Sequence, residues 1–183
     1  MANVALTYRN QGRWDEAEKL QIDVMNKRKA KFGSDHPDAL TSMGILASMY
    51  RHQGRWDEAE KLQVEVMNGT KTKLGLDHPD TLTSMGNLAS TYSHQGRWDE
   101  AEKLQVDVIN TSKAKLGSDH PQTLTTIANL ASTYMNQGRW DEAEKLGVDV
   151  MNRTKVKLGS DHPDTLISIG NLASTYRNQG RWD

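Results

Sequence analysis

The sequence predicts an all-α solenoid of helix pairs, and three observations carry that prediction. Trp14, Trp56, Trp98, Trp140 and Trp182 recur in steps of 42 residues inside a near-identical string. Self-similarity at a fixed period of a few tens of residues marks a solenoid, propeller or array, whose units bury their apolar faces against their neighbours. Within each unit the apolar residues fall three or four apart in two runs, which is helical spacing and not the alternation of strands. Start and stop signals bracket both runs at the same offsets in every copy.

The third unit shows each element. Asp77-His78-Pro79-Asp80 supplies an N-cap acceptor, a first-turn proline and an acid near the positive helix end. Leu82, Met85, Leu88, Ala89 and Tyr92 then form one stripe, and Gln95-Gly96 ends the helix, because glycine accepts a left-handed backbone. A second helix starts at about Trp98, with Ala101, Leu104, Val108 and Leu116 on its stripe. Asp99, Glu100 and Glu102 stand near its start and Lys113 and Lys115 in its last turn, matching the helix dipole, and Gly117 closes it. The Trp-Asp pair thus opens a run of helix formers, DEAEKL, which excludes a propeller blade. The same register gives one array over residues 1–183: a partial unit at 2–32, pairs at 37–74, 79–116 and 121–158, and a truncated unit at 163–183. The tryptophans, at the turn between the helices, and Met43, Met85 and Met151, on apolar stripes, read as core.

Composition agrees with a thin stack. Hydrophobic residues make up 36% and charged residues 26% of the 183, so each unit buries one face and solvates the other. Lys and Arg (23) nearly balance Asp and Glu (24), which argues for neither nucleic acid nor membrane as a partner. Cysteine is absent, removing disulfides and thiolate metal sites and pointing to a cytoplasmic protein. No stretch approaches the roughly 18 apolar residues that span a bilayer. The sequons at Asn68, Asn110 and Asn152 lie in helical sequence and read as accidental.

The pattern Leu88, Ala89, Tyr92, Gly96, Trp98, Ala101, Leu104 resembles the tetratricopeptide (TPR) signature, with Trp where most such repeats carry Tyr. Its 42-residue length, LG-x-DHP link and NLA segment resemble the kinesin-light-chain-like variant, which also occurs in nucleotide-binding receptor proteins of fungi and bacteria. The resemblance implies a right-handed superhelical solenoid of antiparallel helix pairs, with the first helix of each pair lining a concave groove. It implies that Asn3, Asn87, Asn129 and Asn171 face the groove and hold the backbone of an extended peptide, with Ile45 interrupting the row. An amide offers two donors and an acceptor, so it can hold a backbone whatever its sequence. One turn on stand Arg9, Arg51, Ser93, Met135 and Arg177, then Asn10, His52, His94, Asn136 and Asn178. Copies otherwise near identical differ here, through surface drift or through selection for a ligand. Gly44, Gly86, Ala128 and Gly170 leave room either for a ligand or for close helix packing.

Repetition also excludes chemistry. His36, His78, His120 and His162 would have to converge to about 2.0–2.2 Å of one zinc ion, yet stacked helices are roughly 8–10 Å apart. These histidines are read as helix-start residues, and no catalytic, cofactor-binding or metal-ligating residue is assigned. No cofactor is expected, and the chain is not expected to be an enzyme. The clusters Lys27-Arg28-Lys29-Lys31 and Arg153-Lys155-Lys157 sit where cations complement a helix C-terminus.

Beyond their first turns, the groove-lining helices carry Arg and His but no Asp or Glu. The expected function is a protein-interaction scaffold whose partner is an extended, acidic segment of another protein. A structural, self-associating array and the sensor region of a larger receptor ATPase are the alternatives. For self-association, Leu166, Ile169, Leu172, Tyr176 and Trp182 at one end and Val4 and Tyr8 at the other are expected to meet head to tail, because solenoids lacking polar caps expose the surface meant for the next repeat.

Overall fold

A computed structural model describes residues 13–181 together with Tyr8 and Gln11. Among these are eight α-helices and no strand: α1 (Trp14–Phe32), α2 (Pro37–His52), α3 (Trp56–Leu74), α4 (Pro79–His94), α5 (Trp98–Leu116), α6 (Pro121–Asn136), α7 (Trp140–Leu158) and α8 (Pro163–Asn178). The 16-residue helices begin at proline and the 19-residue helices at tryptophan. Glycines at two offsets punctuate them: Gly54 and its counterparts at φ of 72–75°, Gly33 and its counterparts at 90–94°. Both lie where a Cβ is strained, and that is why every helix stops at the same place.

At the start of each shorter helix stands the histidine read from the sequence as a helix-start residue: Nδ1 of His36, His78, His120 and His162 accepts a bond from the backbone N–H two residues on, at 3.2 Å each. An unprotonated imidazole nitrogen satisfies one of the helix's orphan donors as a hydroxyl or carboxylate would. The tryptophans are not core. Trp14 is exposed and Trp56, Trp98 and Trp140 are half-buried, while Ala17, Ala59, Ala101 and Ala143, one turn further on, are fully buried. The small alanine lets the helices approach.

The chain divides into two compact units, residues 1–91 and 92–183. In the first, Leu46, Tyr50 and Ala59 form a core flanked by Ile22, Met25 and Leu62. In the second, Ile109, Ile127, Leu130 and Val150 do so, flanked by Ala128, Tyr134 and Leu146. Buried polar pairs run through both. Gln21 donates to the Ser42 carbonyl at 3.0 Å, and the Thr91 and Thr133 hydroxyls donate to Gln63 and Gln105 at 2.6 and 3.0 Å. Gly147 replaces the glutamine in α7, and there Thr175 turns to the Met135 sulfur at 2.9 Å.

A second set of contacts fixes the register between successive pairs. The Arg55 guanidinium lies 4.2 Å from the Tyr50 ring centroid and donates to Glu18 at 2.8 Å, while its backbone N–H donates to the Tyr50 carbonyl. Arg139 repeats the arrangement with Tyr134 (3.9 Å) and Glu102 (2.8 Å), and Arg181 with Tyr176 (4.5 Å) and Glu144 (2.7 Å). Burial pushes the Glu102 carboxyl up, but its bonds from Arg139 and Gln137 outweigh that and hold it below the ordinary carboxylate value. Bonds from Gln179 and Arg181 lower Glu144.

A carboxylate whose pKa is lower in the folded than in the unfolded chain adds stability above the unfolded value, about 4.3 for Glu, and that stability is lost as pH falls through the folded value. The melting temperature is therefore expected to hold from pH 7 to about 5 and to drop below that. Glu102→Gln is expected to lower it at pH 7 and to converge on the parent protein in acid, which thermal melts followed by circular dichroism would read.

Candidate functional site

In the unit of residues 1–91, α2, α3 and α4 enclose an open trough of about 280 Å³. Successive turns of α2 supply Pro37, Leu40, Thr41, Gly44, Ser48 and Arg51, α3 supplies Gln63, Val66, Thr70, Lys73 and Leu74, and α4 supplies Asp80, Thr83, Ser84 and Asn87. A 16-residue helix is roughly 24 Å long, the reach of about seven extended residues. Gly44 opens onto this space: a Cβ there would meet nothing within 4 Å, and the same holds at Gly86 and Gly170. Of the two readings of these glycines, tight helix packing does not apply.

Arg51 gives the trough its chemistry. Its Nη2 donates to the Ser90 hydroxyl at 2.8 Å and its Nη1 lies 3.5 Å from Asn87 Oδ1. Its Nε is buried and has no partner. Burial pushes the guanidinium below its ordinary pKa, and no carboxylate among the described residues pairs with it, unlike Arg55, Arg139, Arg153 and Arg181. A desolvated cation with an orphan N–H costs free energy that only an acceptor, best an anionic one, relieves. Two residues expected in the groove, Arg51 and Asn87, are thus brought together. Gln63 and Ser90 join them, and the sequence pattern did not single these out.

The corresponding depression in residues 92–183 is smaller, about 20 Å³, and Ala128, Met135, Gly147, Val150, Asn171 and Thr175 are among its lining residues. Met135 stands where the first unit has Arg51, so this surface lacks the cation. Asn129, Asn136, Asn171 and Arg177 are exposed, as are His52 and His94. Ser93 lies 3.4 Å from the Thr133 hydroxyl. Asn3, Arg9 and Asn10 lie outside the described residues. Among the described residues, no group of three or more His, Cys, Asp or Glu could hold a metal ion, and no helix is long and apolar enough to cross a membrane.

On α8, Leu166 is 55% exposed, whereas its counterparts Leu40, Leu82 and Leu124 are 6%, 1% and 5% exposed. Ile169 and Ile167 are also exposed; Ile167, which stands where the other copies carry threonine, was not anticipated. Leu172, grouped in the sequence with that stripe, is instead buried and faces Gly147. Tyr176 is half-buried beneath Arg181, and Tyr8 beneath Arg13. Val4 and Trp182 lie outside the described residues.

Comparison with known proteins agrees with this architecture. Tetratricopeptide repeat profiles match residues 1–68, 38–114, 80–134 and 123–164. No curated protein matches the chain. Two crystal structures of nearly identical TPR-like repeats, from a kinesin light chain-type protein of Podosopora anserina, are each 31% identical to this chain. They superpose with TM-scores of 0.88 and 0.86, covering 99% of this chain and 85% and 86% of theirs. BtubC (BKLC) from P. vanneervenii shares the fold at 19% identity, with a TM-score of 0.83 over 97% of this chain and 71% of its own. The chain belongs to the tetratricopeptide repeat family, as an all-α solenoid of the kinesin-light-chain-like type.

Proposed function

We propose that this protein-interaction scaffold captures an extended, acidic segment of another protein in the trough of residues 37–87. The observation that carries the reading is Arg51, whose buried Nε lacks an acceptor at one end of a 280 Å³ trough. A glutamate or aspartate side chain of the ligand, drawing the guanidinium outward, supplies that acceptor, and Asn87 beside it offers an amide to the ligand backbone. Lys73, at the other end, forms no ion pair among the described residues and adds to the positive potential. Gly44, between them, admits a main chain.

A fluorescein-labelled peptide of alternating Glu and Leu, followed by fluorescence anisotropy, tests this reading. Arg51→Gln should weaken binding by about 1.5–3 kcal/mol, the worth of a hydrogen bond to a charged group, and Asn87→Ala by less. Raising salt should weaken binding further. Equal affinity for a Gln-Leu peptide, or no effect of Arg51→Gln, would contradict the proposal.

Gly44 separates ligand binding from folding. Because a Cβ there meets open space, Gly44→Ala should raise stability by about 0.5–1 kcal/mol through helix propensity. Gly44→Leu should leave the melting temperature near the parent value and abolish capture of the Glu-Leu peptide. A large loss of stability from either substitution would show that the position packs against protein.

The exposed face of α8 supports a second reading, self-association. Leu166 and Ile169 occupy positions that are buried in the other copies, so this face is suited to a helix like α3 or α7 from a second copy. Light scattering across a wide concentration range tests it: Leu166→Gln should shift the population towards monomer, and a monomer at all concentrations for the parent protein would defeat it.

A further inference from the structure

We propose that Gly69 keeps the trough open by giving the Leu40 side chain a place outside it, so that this residue decides which copy of the repeat accepts a ligand. The inference rests on reading the trough as the ligand-binding surface.

Position 69 is where the near-identical copies diverge most in size: Lys27, Gly69, Thr111 and Arg153 stand there in turn. Gly69 is buried in the last third of α3, where a glycine works against the helix. A methyl group at Gly69 would lie 2.5 Å from Leu40 Cδ2, 3.1 Å from Cδ1 and 3.4 Å from Cγ. The branched end of Leu40 therefore fills the volume in which the side chains of the other copies begin. Leu40 also lines the trough. Any larger residue at position 69 forces this side chain to rotate, and the empty volume it already borders is the trough. Gly69 also borders a second depression of about 240 Å³, with Met43, Glu65 and Asn68, but Leu40 does not line it.

The second unit carries a large residue at this position. Arg153 occupies the position, held by Asp149 and Asp119 at 2.8 Å each, and the depression found there is about 20 Å³. The copies share their helix-forming and capping residues, so folding does not require a glycine at this position. What the glycine changes is where one leucine rests.

The test uses 1-anilinonaphthalene-8-sulfonate, an apolar anion whose sulfonate suits Arg51, in fluorescence titrations of the full chain. Signal from the trough is the part lost in Arg51→Gln. Gly69→Thr, which installs the residue of the third copy, should weaken that Arg51-dependent binding about tenfold, and Gly69→Thr with Leu40→Ala should restore it to within about twofold. Gly69→Ala, a smaller change that favours the helix, serves if the threonine variant does not fold. A crystal structure of either single variant should show Leu40 turned into the trough. Parent-like binding by a folded position-69 variant, Leu40 unmoved, no rescue by Leu40→Ala, or no Arg51-dependent binding in the parent would each overturn the inference. If the dye responds to position 69 as expected while the Glu-Leu peptide fails to bind the parent protein, the peptide reading alone falls.

Discussion

Arg55 in the first unit and Arg139 and Arg181 in the second make the contact on which helix stacking within each unit depends. Arg55, Arg139 and Arg181 each lie over a tyrosine from the helix just ended and reach a glutamate of the preceding pair. One side chain thereby ties together two helices of its own repeat and one of the repeat before. A planar guanidinium can do this because it stacks and donates in a fork at once, where a lysine cannot. Such partly exposed pairs contribute little individually. Their role is to fix register: the alanine contacts beneath them tolerate sliding, and a guanidinium held between a tyrosine ring and a carboxylate does not.

That shared frame makes the deviations informative. Arg51 stands on α2 at a position that is arginine in three of the five copies (Arg9, Arg51, Arg177) and Ser93 or Met135 in the others, and among the described residues no carboxylate pairs with it. Gly69 lies where the other copies carry Lys, Thr or Arg, and Gly147 replaces a glutamine that otherwise holds a buried threonine. Arg51 lines the trough, Gly69 lies against the leucine that also lines it, and Gly147 changes a hydrogen bond into a sulfur contact. On the reading proposed above, structure and specificity occupy different positions of the repeat.

Much of this was legible in the residues. Proline and glycine set every helix boundary because each restricts or frees the backbone locally, without reference to the tertiary structure. The expectation that Arg51 and Asn87 face a groove followed from the motif. Their adjacency and the orphan Nε did not, since these depend on how closely α2 and α4 approach. The Asp-His-Pro segment announced a cap without showing which side chain supplies it, because aspartate and imidazole can both accept and only geometry chooses between them. The tryptophans misled because size suggests burial, whereas the tight contact belongs to alanine. The Lys, Gly, Thr and Arg series at position 69 was visible in the alignment of copies, but it carried no meaning until Leu40 was seen resting there.

The central claim is that the Arg51 guanidinium awaits an anionic partner, and the Nε–H resonances of the arginines report on it directly. In a ¹H–¹⁵N spectrum, the Arg51 Nε–H should move on addition of the Glu-Leu peptide and stay still with the Gln-Leu peptide. Arg55, Arg139 and Arg153, already paired with carboxylates, should not move with either. An Arg51 signal that stays still while the Glu-Leu peptide binds, or that moves equally with both peptides, would contradict the account.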